Sequence, residues 1–407
     1  MQQEILAFKI DSRNGLLNHI YKQDNIRIID GMVKNRKCVI ICSGNSIYFP
    51  DTYDEFRAKI ICNNYFDGAR IASKLIDYVE RIVLIRDVRK NFYVTGISEQ
   101  YSSIDSLLDM LEDLTKGYEV VTAGGSAGGY MATIIGSLLN AKHVISAGGQ
   151  WNLYDYEGVT DRYYFLNKYK DNVMCNQYYD LSKRLKTNRV PILYMYGGLN
   201  ASDINQIGYA KDIQNIYPIA IKSKEHAQRV SIEPYLRLLC ASREDITNIY
   251  DTNKEGLVEI RRLEEQINQT ISLPKGLEIG NIITGEQKRK AYVELLYNWV
   301  KSYQDIGAGW FSQIHSQTVA IWGKGKICSL LIKELNKQNT RIKCIVETQP
   351  IDMMFEDVPI VDIKHLPDEV DTLIVVPYYD LKEIRENVFR YYPKINVIGI
   401  DKYINGG

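Results

Sequence analysis

One stretch, YEVVTAGGSAGGYMATIIGSLL (residues 118–139), limits the fold of this chain more than any other. Its first residues read as a buried strand and its last as an apolar helix. Between them, Gly124-Gly125-Ser126-Ala127-Gly128 leaves room only for a sharp turn. In a G-x-S-x-G turn, the positions two before and two after the serine must lack bulk, and both are glycine here. The order strand, turn, helix puts a serine hydroxyl at the carboxyl edge of a sheet and at a helix start. There the helix dipole and the Ala127 N–H could stabilise a developing oxyanion. A Walker-type phosphate loop would need a lysine after its glycines, and none follows.

The surrounding pattern is consistent with such a sheet. Short runs rich in Val and Ile recur at 37–43, 58–62, 82–86, 143–147, 190–196 and 217–221, with helix-length segments such as 102–114 and 130–140 between them. Alternating strands and helices predict a parallel sheet covered on both faces. This pattern runs to about residue 242. From 243 to 316 charged and apolar residues interleave at helical spacing, as in 250–268 and 286–304, which reads as a helical connector. At TVAIWG (318–323) the alternation restarts. The expected organisation is therefore an α/β domain over 1–242 with a cap insertion at about 150–188, a connector over 243–316, and a smaller α/β domain over 317–407.

Composition narrows the function. The 407 residues carry 50 Lys plus Arg against 50 Asp plus Glu, a formal net charge of +0. Such a chain has no global field to draw it to nucleic acid or an anionic membrane. No run of about 18 apolar residues suggests a membrane span. The start MQQEILAFKI does not read as a secretory signal. Seven scattered cysteines show neither a zinc spacing nor a disulfide framework, so no metal is expected and a reducing cytoplasm is the simplest location.

A serine needs a base. Of five histidines, His226 alone follows the serine in a loop between a strand and a helix of the first domain, where the order Ser, acid, His puts the base. His143 opens a strand and reads as structural. The acid should follow VPILYMY (190–196). In that loop, Asp203 is the only carboxylate, while Asn200 stands nearer the usual distance from the glycines. Asp203 is preferred because a carboxylate stabilises an imidazolium and an amide only orients it. A second oxyanion donor should come from the loop after CVIIC, where Gly44 permits close approach and the N–H of Asn45 or Ser46 could point inward. An ordinary strand–helix turn would explain the same residues.

SGNS (43–46), LIRDVRKNFYVTGIS (84–98), TAGGSAGGYMA (122–132) and VISAGGQWNL (144–153), in that order, resemble the serine α/β-hydrolase superfamily over roughly residues 30–240. More narrowly, they are similar to bacterial members found with surface-polysaccharide and glycoprotein glycosylation machinery, some of them sugar O-acetyltransferases or esterases. The resemblance implies an α/β-hydrolase-like fold, Ser126 as nucleophile and His226 as base. The reaction it implies is acyl transfer on a carbohydrate ester through an acyl-enzyme, with acetyl-CoA a candidate acyl donor. The tyrosine-rich insertion (Trp151, Tyr154, Tyr156, Tyr163, Tyr164, Tyr169, Tyr178, Tyr179) could stack on sugar rings. Packing of these aromatics on the core is the simpler explanation.

Near the C-terminus, Gly323-x-Gly325-x-x-Cys328 follows a strand and opens a helix, with Glu347 at the end of the next strand. The spacing of about 20 residues from loop to acid is that of a dinucleotide-type fingerprint with cysteine in place of the third glycine. Residues 318–402 resemble small Rossmann-like units of bacterial sugar-modifying proteins, some of which hold nucleotide sugars. Gly323, Gly325 and Glu347 are then the candidate nucleotide contacts, and a docking or dimerisation unit is the alternative. Three functions follow: a carbohydrate O-acyltransferase or esterase; a non-catalytic accessory protein that binds a glycosyltransferase or secretion partner; and, last, a nicotinamide-dependent oxidoreductase. A homodimer or a glycosyltransferase is the candidate partner.

Overall fold

The computed structural model describes residues 15–156, 164–273, 293–301, 318–347 and 354–404. The chain divides into two compact units at Gly280/Asn281, each with its own sheet.

Among the described residues the first unit holds seven strands: β1 (Ile26–Asp30), β2 (Lys37–Cys42), β3 (Arg81–Ile85), β4 (Glu119–Gly125), β5 (His143–Ala147), β6 (Ile192–Gly197) and β7 (Ile216–Ile221). Their order in the sheet is β1-β3-β2-β4-β5-β6-β7. Only β1 is antiparallel; every other neighbour pair is parallel. The central strands are buried along nearly their whole length, because helices cover both faces. This is an α/β-hydrolase-like sheet. β4 lies mid-sheet, with Gly124 paired to Cys42 of β2 and Gly125 paired to Ala147 of β5. Ser126 thus leaves the sheet at its carboxyl edge and enters the Ala127–Leu138 helix, whose residues 127–136 are all buried.

Residues 58–62, expected as a strand, are helical instead. Thr52 caps a first turn at Tyr53–Phe56, accepting the Glu55 N–H at 3.2 Å, and the chain continues as a wider π-type turn through Arg57–Cys62. The cap and two first-turn acids, Asp54 and Glu55, favour helix, and only Ile60 of the Ile-rich run is buried.

Most of the described insertion aromatics serve packing. Trp151, Tyr156, Tyr178 and Tyr179 join the core beneath the sheet's carboxyl edge, and Tyr169 packs against it. Tyr130 donates its hydroxyl to the Tyr178 carbonyl at 2.9 Å, tying insertion to elbow helix. Tyr154, by contrast, is exposed. Tyr163 lies outside the described residues.

The segment 250–268, expected as one helical stretch of the connector, falls on two helices, Arg243–Asn253 and Ile260–Thr270, and both belong to the first unit: one packs on β7 and the other on the Ile232–Cys240 helix. Backbone bonds from Val258 to Ala220 and from Lys222 to Val258 fasten the chain between them to the sheet edge. Much of the second connector segment (286–304) lies outside the described residues.

The second unit holds β8 (Thr318–Trp322), β9 (Arg341–Val346), β10 (Met354–Phe355), β11 (Val358–Val361), β12 (Thr372–Val375) and β13 (Asn396–Gly399), in the order β10-β11-β9-β8-β12-β13. The parallel strands therefore run third, second, first, fourth, fifth, which is the Rossmann order without its sixth strand. Alternate residues feed two cores. Val319, Ile321, Ile345 and Ile374 face one layer with Leu295 and Trp299, and Ala320, Trp322, Val346 and Val375 face the other with Ile384 and Val388.

Candidate active site

The elbow is held by close approach. A Cβ at Gly124 would lie 2.3 Å from the Gly128 carbonyl oxygen, and one at Gly128 2.2 Å from the Cys42 oxygen, so both positions exclude any side chain. Ser126 itself sits at φ 54, ψ −126, a conformation that costs a non-glycine residue about 1–3 kcal/mol. Its N–H donates to the Ala147 oxygen at 2.7 Å, which pins the strained residue to β5.

His226 arrives on the loop after β7, and its Nε2 lies 2.8 Å from Ser126 Oγ. Its Nδ1 lies 2.5 Å from Asp203 Oδ1. The Asp203 side chain is 1% exposed, and Oδ2 accepts the N–H groups of Gly197 at 2.9 Å and Ala227 at 3.3 Å. A carboxylate only accepts, so the Nδ1–H donates to Asp203 and Nε2 is left to accept the serine proton. Asn200 takes a different place: its Oδ1 caps the Ala201–Gly208 helix, accepting the Asp203 N–H at 3.1 Å, and its Nδ2 donates to the Lys224 oxygen at 2.9 Å. The amide positions the loop and the carboxylate meets the imidazole. His143, 0% exposed, donates its ring Nε2–H to the Leu238 oxygen at 2.9 Å, and burial lowers its pKa to about 4.

The Ala127 N–H, at the helix start, makes no hydrogen bond among the described residues, and neither does the Asn45 N–H. Gly44 permits the close approach of the turn to the Gly125 oxygen, where a Cβ would lie at 2.7 Å, and its own N–H is engaged, donating to Asp67 Oδ2 at 2.9 Å. Asp67 also takes Ser43 Oγ as acceptor for its own N–H at 3.0 Å, gripping the turn twice.

The segment after β3 supports this turn from behind. Tyr93 donates its hydroxyl to the Ser43 oxygen at 2.7 Å. Asp87 accepts the N–H groups of Arg89, Asn91 and Tyr93, and burial pushes its pKa up to about 6. Arg86 bonds Asn25 and the Tyr65 oxygen. No motif announces Asp67, which reaches the turn only through tertiary packing.

In the second unit, Gly323 and Gly325 adopt φ 96 and 144, open to glycine and strained for other residues. The Lys324 N–H between them donates to Glu347 at 2.7 Å, so loop and acid meet at the carboxyl ends of β8 and β9. The strand order reverses beside β8, the position at which α/β sheets bind ligands. The Lys326–Lys337 helix begins there without a side-chain cap. Cys328 packs fully buried in the core, as its small size at the third-glycine position allows.

Among the described residues no cluster of three or more His, Cys, Asp or Glu could hold a metal, and no helix is long and apolar enough to cross a membrane. No known family model matches the chain, and no curated protein matches it. Solved structures do show similarity. The capsule O-acetyltransferase of Neisseria meningitidis serogroup A is 15% identical, covering 56% of this chain and 92% of that one at a TM-score of 0.37. MenH from S. aureus is 13% identical, covering 57% and 100% at 0.34. A lipase-esterase related protein from Clostridium acetobutylicum is 13% identical, covering 57% and 99% at 0.33.

Proposed function

We propose that this chain is a serine acyl-transfer enzyme of the α/β-hydrolase type acting on a carbohydrate ester, most specifically an O-acetyltransferase of bacterial surface glycan synthesis. The observation that carries the reading is the continuous hydrogen-bonded series Ser126–His226–Asp203. His226 Nε2 takes the serine proton as Oγ attacks the ester carbonyl, and the imidazolium so formed faces the Asp203 carboxylate. The tetrahedral oxyanion receives the Ala127 and Asn45 N–H groups. Collapse forms the acyl-enzyme, and His226 returns its proton to the leaving group, the sulfur of CoA for a thioester donor or the alkoxide oxygen for an ester. A sugar hydroxyl then gives its proton to His226 and takes the acyl group, restoring Ser126. Acetyl-CoA is the proposed donor. For the second unit a nucleotide sugar at Gly323, Gly325 and Glu347 is the proposed ligand, with homodimer or glycosyltransferase docking as the alternative use of that fold.

Hydrolysis is the second reading. The His226 side chain is 32% exposed, so water can reach an acyl group on Ser126. Incubation with p-nitrophenyl acetate, with and without a sugar acceptor, tests both. Release of nitrophenol by the native chain and not by Ser126→Ala supports the enzyme, and acetylated sugar separates transfer from hydrolysis. Equal release by both chains, together with no labelling by a fluorophosphonate, leaves the accessory-protein reading.

A further inference from the structure

A charged side chain that the proposed chemistry does not use lies against the elbow. Arg229 stands three residues beyond His226 on the same loop, and its guanidinium rests on Gly125, the residue before Ser126. A Cβ at Gly125 would lie 2.3 Å from Nε and 2.4 Å from Nη2, and one at Gly44 3.5 Å from Nη2. The elbow motif demands small residues at 124 and 128 and nothing at 125. The arginine accounts for the extra glycine. Its guanidinium therefore touches both segments that flank the nucleophile, the elbow and the Gly44 turn.

This cation has one recorded ion pair, with Asp67, at the outer limit of ion-pair distance. The nearest carboxylate, Asp67, lies with Oδ2 4.0 Å from Nη2. That group is already committed: it is 8% exposed, Oδ2 accepts the Gly44 N–H, and Oδ1 accepts the Tyr65 hydroxyl at 3.0 Å. The guanidinium makes no hydrogen bond among the described residues. It is 42% exposed, at a pocket of about 160 Å³ that Gly124 also lines. Asp67 lines the same pocket, and the rest of its wall is largely apolar, with Ile71, Val230, Ile232 and Tyr235. A fork of N–H donors that make no hydrogen bond among the described residues, packed on the residue before the nucleophile and only distantly paired with an Asp67 already held by two other donors, suits a ligand with an anionic end.

We propose that Arg229 is a substrate-binding residue that grips a carboxylate or phosphate carried by the ester, making the site selective for anionic substrates. This rests on the reading of Ser126 as nucleophile and deepens it. Carboxylate and phosphate share the bidentate geometry that the guanidinium offers, and the test separates them.

Three aryl acetates on one scaffold serve as probes for the purified full chain: 4-acetoxybenzoate, 4-acetoxyphenyl phosphate and the neutral methyl 4-acetoxybenzoate, each rate divided by its spontaneous hydrolysis rate. A charge-assisted pair predicts a kcat/KM about 10- to 100-fold higher for at least one anionic ester than for the neutral one. The anion with the larger ratio identifies the group recognised. In Arg229→Gln that ratio falls toward one, and Arg229→Lys retains part of it. A native ratio of one, or a ratio that Arg229→Gln leaves unchanged because all three esters slow together, overturns the proposal in favour of a packing role. If the native chain cleaves none of the three and a fluorophosphonate does not label Ser126, the serine-enzyme reading falls and this proposal with it. Cleavage of the neutral ester without charge preference overturns the proposal alone.

Discussion

Asn200 caps the helix in whose first turn Asp203 stands, accepting the Asp203 N–H at 3.1 Å while the Asp203 carboxylate turns toward His226. The two residues that compete in the sequence for one role thus hold two, and substitution separates them. Asp203→Asn keeps the side-chain shape, but with its amide oxygen held by the Gly197 and Ala227 N–H groups it turns its NH2 to Nδ1, and it should lower kcat on p-nitrophenyl acetate by about 10⁴-fold with the melting temperature nearly kept. Asn200→Ala should instead cost about 1 kcal/mol of stability, read by denaturant titration, with a much smaller loss of rate.

Ser126 stores strain that glycine would release. At φ 54 and ψ −126, Ser126→Gly should match or exceed the native chain in stability while losing measurable esterase activity. A thermal melt beside an activity assay checks both halves. A melting temperature several degrees lower would show that the serine conformation is not strained.

His143 makes the first unit sensitive to acid. Burial lowers its folded pKa to about 4, against an ordinary value of 6.5. Between these values the unfolded chain binds a proton that the folded chain does not. Stability therefore falls as pH drops from 6.5 toward 4, and this contribution levels off below. His143→Gln should flatten that limb in melts at pH 4, 5, 6.5 and 7.5. Asp87 acts with the opposite sign: its folded pKa of about 6 lies above the ordinary 3.8, so its contribution to stability declines as pH rises from about 4 to 6.

The C-terminal loop gives a separate test. If a nucleotide sugar sits at the switch point, calorimetry should detect binding of UDP-N-acetylglucosamine or a related compound, weakened about tenfold or more by Glu347→Ala through the lost ribose contact. Heat that Glu347→Ala does not change would place any binding elsewhere.

Much of this architecture is legible in sequence because it is local. The elbow announces itself through Gly124 and Gly128, whose missing side chains the turn requires. The second sheet follows from strand-length apolar runs and a glycine loop. What is not legible depends on tertiary approach. Asp67 and Arg229 belong to no motif and meet the elbow only when separate loops fold over it. Nothing local shows that the Gly44 N–H is taken by Asp67. Residues 58–62 have strand-like composition, and a Thr52 cap upstream sends them into a helix. Tyrosine abundance around 151–179 cannot separate a sugar platform from core, and burial assigns Trp151, Tyr156, Tyr178 and Tyr179 to packing.

Intact-mass and peptide-level mass spectrometry after brief exposure to a fluorophosphonate tests the central claim most directly. The account predicts one adduct per chain, on the peptide that carries Ser126, with labelling strongly slowed in His226→Ala and absent in Ser126→Ala. An unmodified chain, or an adduct on another residue that survives Ser126→Ala, would contradict it.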